Sequence, residues 1–175
     1  MASMDAGEAG RFVDLADSYA ELRRIARRML AGDAVRLVLQ PTELVNEAAL
    51  RLIRSQVSGS DRAHMLALAA RTMRRVMIDE ARRHAAAKRR SPTLMTFYPG
   101  TNDRLVGMED LDRALEALEQ ISPDHARIVE LRFTLGMTVE ETAASTGLAE
   151  RTVKRRWQSA RAWLRDHLEG EDGTR

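Results

Sequence analysis

The stretch from Thr138 to Trp157, TVEETAASTGLAERTVKRRW, predicts a short helix, a tight turn and the beginning of a second helix. Thr138 and Glu141 have the spacing of a capping box, which would open a helix that runs through Ser145. Gly147 breaks the chain where the turn is expected. This order is that of a helix-turn-helix, whose small or buried positions would be Ala143, Leu148 and Val153.

The second helix of this pair, expected from Glu150 to Leu168, is strongly basic. Cations near its N-terminal end lie where a recognition helix meets base edges in the major groove, and those further along suit phosphates. Trp157 and Trp163 are expected to pack in the core. The predicted base contacts are Arg151, Lys154 and Arg155, and the predicted phosphate contacts are Arg156, Arg161 and Arg165.

Charge is divided unevenly along the chain. Residues 71–90 contain eight basic and two acidic residues, residues 91–148 contain four and ten, and residues 149–168 contain six and two. Two basic helices separated by an acidic segment indicate two surfaces that contact polyanions. Two ordinary solvated helix faces would produce the same pattern, so charge alone leaves both interpretations open.

Composition favours helices throughout. The chain has 175 residues, of which 4% are aromatic, and it contains no cysteine. We therefore predict an all-α protein of two small helical domains, without disulfides or thiolate metal sites. Residues 1–11 include Asp5 and Glu8 and do not resemble a signal peptide, and no stretch has the roughly 20 apolar residues of a membrane span. A cytoplasmic location is expected.

Three helices are predicted in the first half of the chain. The first runs from about Phe12 to Leu30, and Gly32 ends it. The second follows Gln40-Pro41, with Thr42 as N-cap. The third begins after Asp61 and runs to about Lys88. The expected apolar positions are Leu15, Tyr19, Leu22, Ala26 and Met29 on the first helix, Leu44, Val45, Ala48, Leu52 and Ile53 on the second, and Met65, Ala69, Met73 and Val76 on the third.

Residues 91–109 have turn-forming pairs such as Pro99-Gly100 and no sustained period, which predicts a flexible linker. A helix is expected from Asp110, with Leu111, Leu115, Leu118 and Ile121 on its apolar side. Ser122 would cap the following helix, and Pro123 would take its first position. That helix carries Ile128, Val129 and Leu131.

Taken together, these motifs resemble an extracytoplasmic-function (ECF) sigma factor of the sigma-70 family over about residues 12–168. Region four is matched by the runs ARIVELRF (126–133), GMTVEETA (136–143), Gly147-Leu148 and RTVKRRW (151–157). In the front half, QPTELVNEA (40–48) resembles region 2.2, and residues 62–88 resemble regions 2.3 and 2.4. Two motifs on opposite sides of a linker make the resemblance more specific than the helix-turn-helix alone.

The resemblance implies a domain order and a role for each basic helix. A disordered terminus (1–11) would precede region 2 (12–90), a linker (91–109), region 4 (110–168) and a tail (169–175). Glu43, Asn46 and Glu47 would dock on core RNA polymerase. The −10 element would be contacted by Arg71, Arg74, Arg75, Asp79, Arg82 and Arg83, and the −35 element by Arg151, Thr152, Lys154, Arg155, Arg156 and Arg161.

The implied partners are core RNA polymerase and promoter DNA, with an anti-sigma factor as a further candidate and with no cofactor, metal, membrane or small-molecule substrate. An enzyme is disfavoured because the four histidines are scattered and no catalytic motif is present. The alternative is a helix-turn-helix regulator that acts without polymerase, for which residues 12–54 would have to supply a dimer interface or a sensor. A basic helix lying on a membrane surface is a weaker rival, since residues 71–90 lack interfacial tryptophan.

Overall fold

A computed structural model describes residues 18–31, 39–55, 61–88, 94–97 and 105–172. Helices dominate these ranges, which confirms the predicted all-α class. The helices are α1 (Tyr19–Met29), α2 (Pro41–Ser55), α3 (Arg62–Lys88), α4 (Met108–Ile121), α5 (Pro123–Val129), a π-helical segment (Glu130–Thr134), α6 (Val139–Thr146) and α7 (Glu150–Asp172). We call α1–α3 the N-terminal half and the elements from α4 onward the C-terminal half.

The N-terminal half largely follows its sequence pattern. Asp61 caps α3 through its Oδ1, which accepts the backbone N–H of His64 at 2.8 Å. Thr42 is not an N-cap, because α2 already begins at Pro41 and the carboxylate of Glu43 accepts the N–H of Gln40 at 2.8 Å. Residues 12–17 and Gly32, where the first helix was predicted to begin and end, lie outside the described residues. The predicted apolar stripe of α3, Met65, Ala69, Met73 and Val76, is buried.

A short two-stranded ladder precedes α4, which the sequence did not predict. Strand β1 (Met95–Phe97) pairs antiparallel with β2 (Leu105–Gly107), and Thr96 lies opposite Val106. The N–H of Met108 then donates to the carbonyl of Leu94 at 2.7 Å. Helix α4 therefore starts at Met108, two residues before the predicted Asp110.

The junction of α4 and α5 corrects one predicted core residue. Ile121 is 66% exposed because it lies in the last turn of α4 on the solvent side, whereas Leu111, Leu115 and Leu118 are buried. Pro123 takes the first position of α5, as predicted. Ser122 occupies the N-cap position, but its hydroxyl contacts the His125 side chain at 2.6 Å and not a backbone N–H.

The π-helical segment continues α5 with one wider turn. Its last carbonyl–amide bond runs from the N–H of Leu135 to the carbonyl of Glu130 at 2.9 Å. The side chain of Glu130 also accepts the hydroxyl proton of Thr134 at 2.6 Å, and both residues are buried. Such single wide turns occur often at functional positions, and this one faces the other half of the chain.

Helices α6 and α7 form the predicted helix-turn-helix. The capping box is complete, since Glu141 N–H donates to Thr138 Oγ1 at 3.1 Å and Thr138 N–H donates to the Glu141 carboxylate at 2.7 Å. Gly147 follows α6 with φ +69°, a left-handed conformation that favours glycine. Helix α6 extends one residue past Ser145, and α7 extends four residues past Leu168.

The two halves share apolar surface. One core cluster joins α1, α2 and α3, and it includes Met108, Leu131 and Leu135 from the C-terminal half. The second cluster joins α4, α5 and α7, with Trp157 and Trp163 packed at its edge as expected. The halves are thus in direct contact. None of the described helices is long and apolar enough to cross a membrane.

Candidate nucleic-acid interface

Helix α7 presents its first cations outward. Val153 is fully buried, and its N–H donates to the carbonyl of Ala149 at 3.1 Å. With Val153 anchoring the inner side, Arg151, Lys154 and Arg155 are exposed on the outer side. Within the described residues Arg151 and Arg155 form no ion pair, so both guanidinium groups are accessible to a binding partner.

The remaining cations of α7 have partners on the protein. Lys154 lies 3.5 Å from Glu150, one turn earlier on the same exposed face. Arg156 is paired with Asp124 of α5 at 2.7 Å. Arg161 lies over the ring of Trp157 with its guanidinium carbon 5.8 Å from the centroid, and Arg132 approaches the same ring at 5.5 Å. These contacts position the arginines along the edge of α7. Thr152 is half-buried.

Four of the five predicted −10 arginines of α3 form ion pairs with α4, and Arg83 does not. Arg82 Nε is 2.8 Å from Glu109 Oε1. Arg71 is ion-paired with Glu119, and Arg75 with Glu116. We call Arg71, Arg74, Arg75 and Arg82 the arginine row, and Glu109, Asp112, Glu116 and Glu119 the carboxylate row.

Arg74 is the buried centre of this contact. Its side chain is 3% exposed and bonds Glu130 Oε1 through Nη2 at 2.6 Å and Asp112 Oδ1 through Nε at 2.8 Å. Burial by itself lowers the pKa of the guanidinium, but the two carboxylates outweigh that effect and the pKa is raised. Arg74 therefore stays charged between the two halves.

Hydrogen bonding also shifts the pKa values of Arg82 and Glu109, the outermost ion pair between α3 and α4. The bond to Glu109 raises the pKa of Arg82, and the same bond lowers the pKa of the Glu109 carboxyl. Asp79 accepts from Arg51 at 2.6 Å, and Arg83 pairs with Glu80 at 2.7 Å. These last two contacts lie within the N-terminal half.

The predicted polymerase-docking residues lie together on α2. Glu43 and Asn46 are exposed, and Glu47 is half-buried beside Arg51, whose Nε is 3.0 Å from Glu47 Oε1. The side-chain oxygen of Asn46 accepts from the Tyr19 hydroxyl at 3.4 Å. The face is polar and accessible, which suits docking and is equally compatible with a solvated surface.

Sequence reasoning missed the carboxylate row and Glu130. The net charge of −6 over residues 91–148 balances the net charge of +6 over residues 71–90. This balance of charge is the sequence feature that could have indicated a contact between the two segments. Among the described residues, no group of histidine, aspartate and glutamate side chains is arranged to hold a metal ion.

Comparison with known proteins gives consistent matches. Residues 3–170 match the family model described as ECF sigma factor. The chain is 30% identical over 156 residues to an RNA polymerase sigma-E factor of Streptomyces avermitilis, an alignment that covers 88% of this chain and 87% of that protein. It is 33% identical over 102 residues, 57% of each chain, to an RNA polymerase sigma-E factor of Streptomyces antibioticus.

Proposed function

The chain belongs to the ECF sigma factor family, and on that premise we propose that it binds core RNA polymerase and directs it to promoters by recognising −35 and −10 elements. Members of this family act in transcription initiation as polymerase subunits and not as catalysts. In this proposal residues 12–90 form region 2, residues 110–168 form region 4, and residues 91–109 link them.

The observation that carries the proposal is the outward cationic end of α7. Arg151 and Arg155 are exposed soon after the turn at Gly147, and Val153 is buried on the opposite side of α7. A helix held in this way can enter the major groove with its N-terminal side chains on base edges. Arginine is the residue that most often contacts guanine bidentately, which supports a sequence-reading role for this end of the helix.

Copurification distinguishes this proposal from the helix-turn-helix regulator. A tagged chain expressed in a bacterial host should retain core polymerase subunits in stoichiometric amounts. A homodimer without polymerase would favour the regulator and contradict the sigma proposal.

Arg155→Ala is expected to reduce transcription from the preferred promoter and to relax the preference at one position of the −35 element. A base-reading arginine contributes about 1–3 kcal/mol of discrimination. Run-off transcription on a promoter library with a randomised −35 element measures the effect. Arg165→Ala is the matched control, because Arg165 is exposed further along α7 and pairs with Asp166 at 3.1 Å. Equal promoter profiles for the two variants would contradict the base-reading role.

Glu47→Lys is expected to weaken binding to core polymerase roughly tenfold, about 1.4 kcal/mol, because it places a cation where the proposal needs an anion. Competition for core enzyme against the unmodified chain measures the change, with folding checked by circular dichroism. Glu169→Lys, an equal charge change on an exposed position of α7, should have no effect. Unchanged core affinity for Glu47→Lys would remove Glu47 from the docking surface.

A further inference from the structure

The ring of Trp157 lies beneath two arginines that come from different elements. The guanidinium carbon of Arg132, in the π-helical segment, is 5.5 Å from the centroid of the ring, and that of Arg161, on α7, is 5.8 Å from it. The face of an indole carries negative charge density and attracts a cation at such a distance. One aromatic side chain therefore keeps two like charges close to each other.

The same tryptophan is fixed from the inside of the protein. Its side chain packs at the edge of the cluster that joins α4, α5 and α7, and it is half-buried, so part of the ring remains at the surface. A free arginine side chain loses much conformational freedom when it binds a partner. A ring held by the core restricts that freedom beforehand, which favours binding.

Trp157 lies among the cations that were predicted to contact DNA. Lys154 precedes it by three residues and Arg161 follows it by four. Side chains at these separations are neighbours on one side of a helix. The ring is thus placed between the N-terminal end of α7, which is proposed to read bases, and an arginine that is proposed to bind a phosphate.

Arg132 belongs to the same surface, although it is not on α7. Backbone and Thr138 hydrogen bonds lower the pKa of the Glu140 carboxyl at the start of α6, and the charges of Lys154 and Arg132 lower it further. Both cations therefore lie near one carboxylate of the helix-turn-helix.

The guanidinium of Arg132 also has donors left for a partner. Within the described ranges it donates one hydrogen bond, to the carbonyl oxygen of Met137, and its Nε is buried without an acceptor. A guanidinium carries five N–H groups, so those at the outer end remain able to donate to an oxyanion.

We infer that Trp157 is a positioning residue for DNA binding: its ring orients the guanidinium groups of Arg132 and Arg161 toward phosphates beside the −35 element. The tryptophan itself reads no base. The inference rests on the proposed function, which places α7 on DNA, and it adds a role for two residues that the proposal leaves without one, Trp157 and Arg132.

Substitution of the ring tests the inference. Trp157→Leu should weaken binding to a duplex with the preferred −35 element about three- to tenfold, because the arginines lose their orientation. The loss should be equal on duplexes with altered −35 bases, since phosphate contacts carry no sequence information. Trp157→Phe keeps an aromatic face and should retain most of the affinity. Fluorescence anisotropy with labelled duplexes measures both variants.

Trp163→Leu is the matched control on the same helix. Trp163 also packs at the edge of the cluster that joins α4, α5 and α7, but its ring stacks on His167 with the centroids 4.6 Å apart. This change should lower thermal stability as Trp157→Leu does. It should leave the affinity for DNA unchanged at a temperature at which circular dichroism shows both variants to be folded.

A mutant cycle distinguishes positioning from simple packing. Arg132→Gln and Arg161→Gln should each reduce the slope of log affinity against log salt concentration by about 0.9, the effect of one lost phosphate contact. In the chain that carries both Gln substitutions, Trp157→Leu should cause little further loss of affinity, because no guanidinium is left for the ring to orient.

Three results would overturn the inference: a loss for Trp157→Phe as large as for Trp157→Leu, an equal loss for a folded Trp163→Leu, or an undiminished effect of Trp157→Leu in the chain with both Gln substitutions. If the unmodified chain still directs transcription with core polymerase, the proposed function survives each of them. An unmodified chain that neither prefers the −35 duplex over a scrambled one nor directs transcription would contradict the proposed function itself.

Discussion

Arg74→Met is expected to destabilise the packing of the two halves by about 3–5 kcal/mol, the usual effect of removing one partner from a buried ion pair. The methionine fills a similar volume but leaves Glu130 and Asp112 without their cation in a site that is closed to water. Arg74 is 3% exposed, so little solvent is available to compensate. Water can reach the two unpaired carboxylates only if the halves unfold or separate.

Urea unfolding followed by circular dichroism, combined with small-angle X-ray scattering, detects both outcomes. The matched control is Arg83→Met on the same helix, because Arg83 is 62% exposed and pairs with Glu80, one turn earlier on α3. That change should stay within about 0.5 kcal/mol. Combining Arg74→Met with Glu130→Gln and Asp112→Asn should restore part of the lost free energy of unfolding, because the two neutral side chains no longer need a cation. An unchanged unfolding curve and radius of gyration for Arg74→Met would show that the central pair does not hold the halves together.

Leu164→Ala is expected to lower the free energy of unfolding by about 2–5 kcal/mol through the cavity it leaves. Leu164 is fully buried in the cluster that joins α4, α5 and α7, so the substitution weakens the packing of α7 against α4 and α5. Affinity for a −35 duplex should fall along with thermal stability.

Ile121→Ala provides the comparison, because it removes as many carbon atoms as Leu164→Ala but from a side chain that is 66% exposed. It should change stability by no more than about 0.5 kcal/mol. A loss of stability for Ile121→Ala as large as that for Leu164→Ala would contradict the solvent-exposed position of Ile121 in the last turn of α4.

Local patterns in the sequence predicted much of the fold. The capping box at Thr138 and Glu141, the cap at Asp61 and the apolar stripe of α3 each depend on neighbours within a turn or two of helix. Such signals do not need the rest of the molecule. The exposed cations of α7 were predictable for the same reason, since Val153 fixes which side faces inward.

Contacts between the halves could not be predicted in the same way. The burial of Arg74 depends on Glu130, 56 residues later in the chain, and the π-helical turn that places Glu130 has no clear sequence signature. The β1–β2 ladder pairs two strands of three residues, which is too short for alternation to stand out. The prediction for Ile121 was wrong because helical periodicity continues to the last turn of α4, where none of the described helices covers the side chain.

In vitro transcription with purified core RNA polymerase on fragmented genomic DNA tests the sigma function most directly. We expect core polymerase with this chain to start transcripts at discrete sites that core polymerase alone does not use. Those start sites should share one upstream sequence near −35, and the combined Arg151→Ala and Arg155→Ala variant should lose them. A chain that leaves the start sites of core polymerase unchanged, although folded and present in excess, would contradict the proposal that it is a promoter-directing subunit.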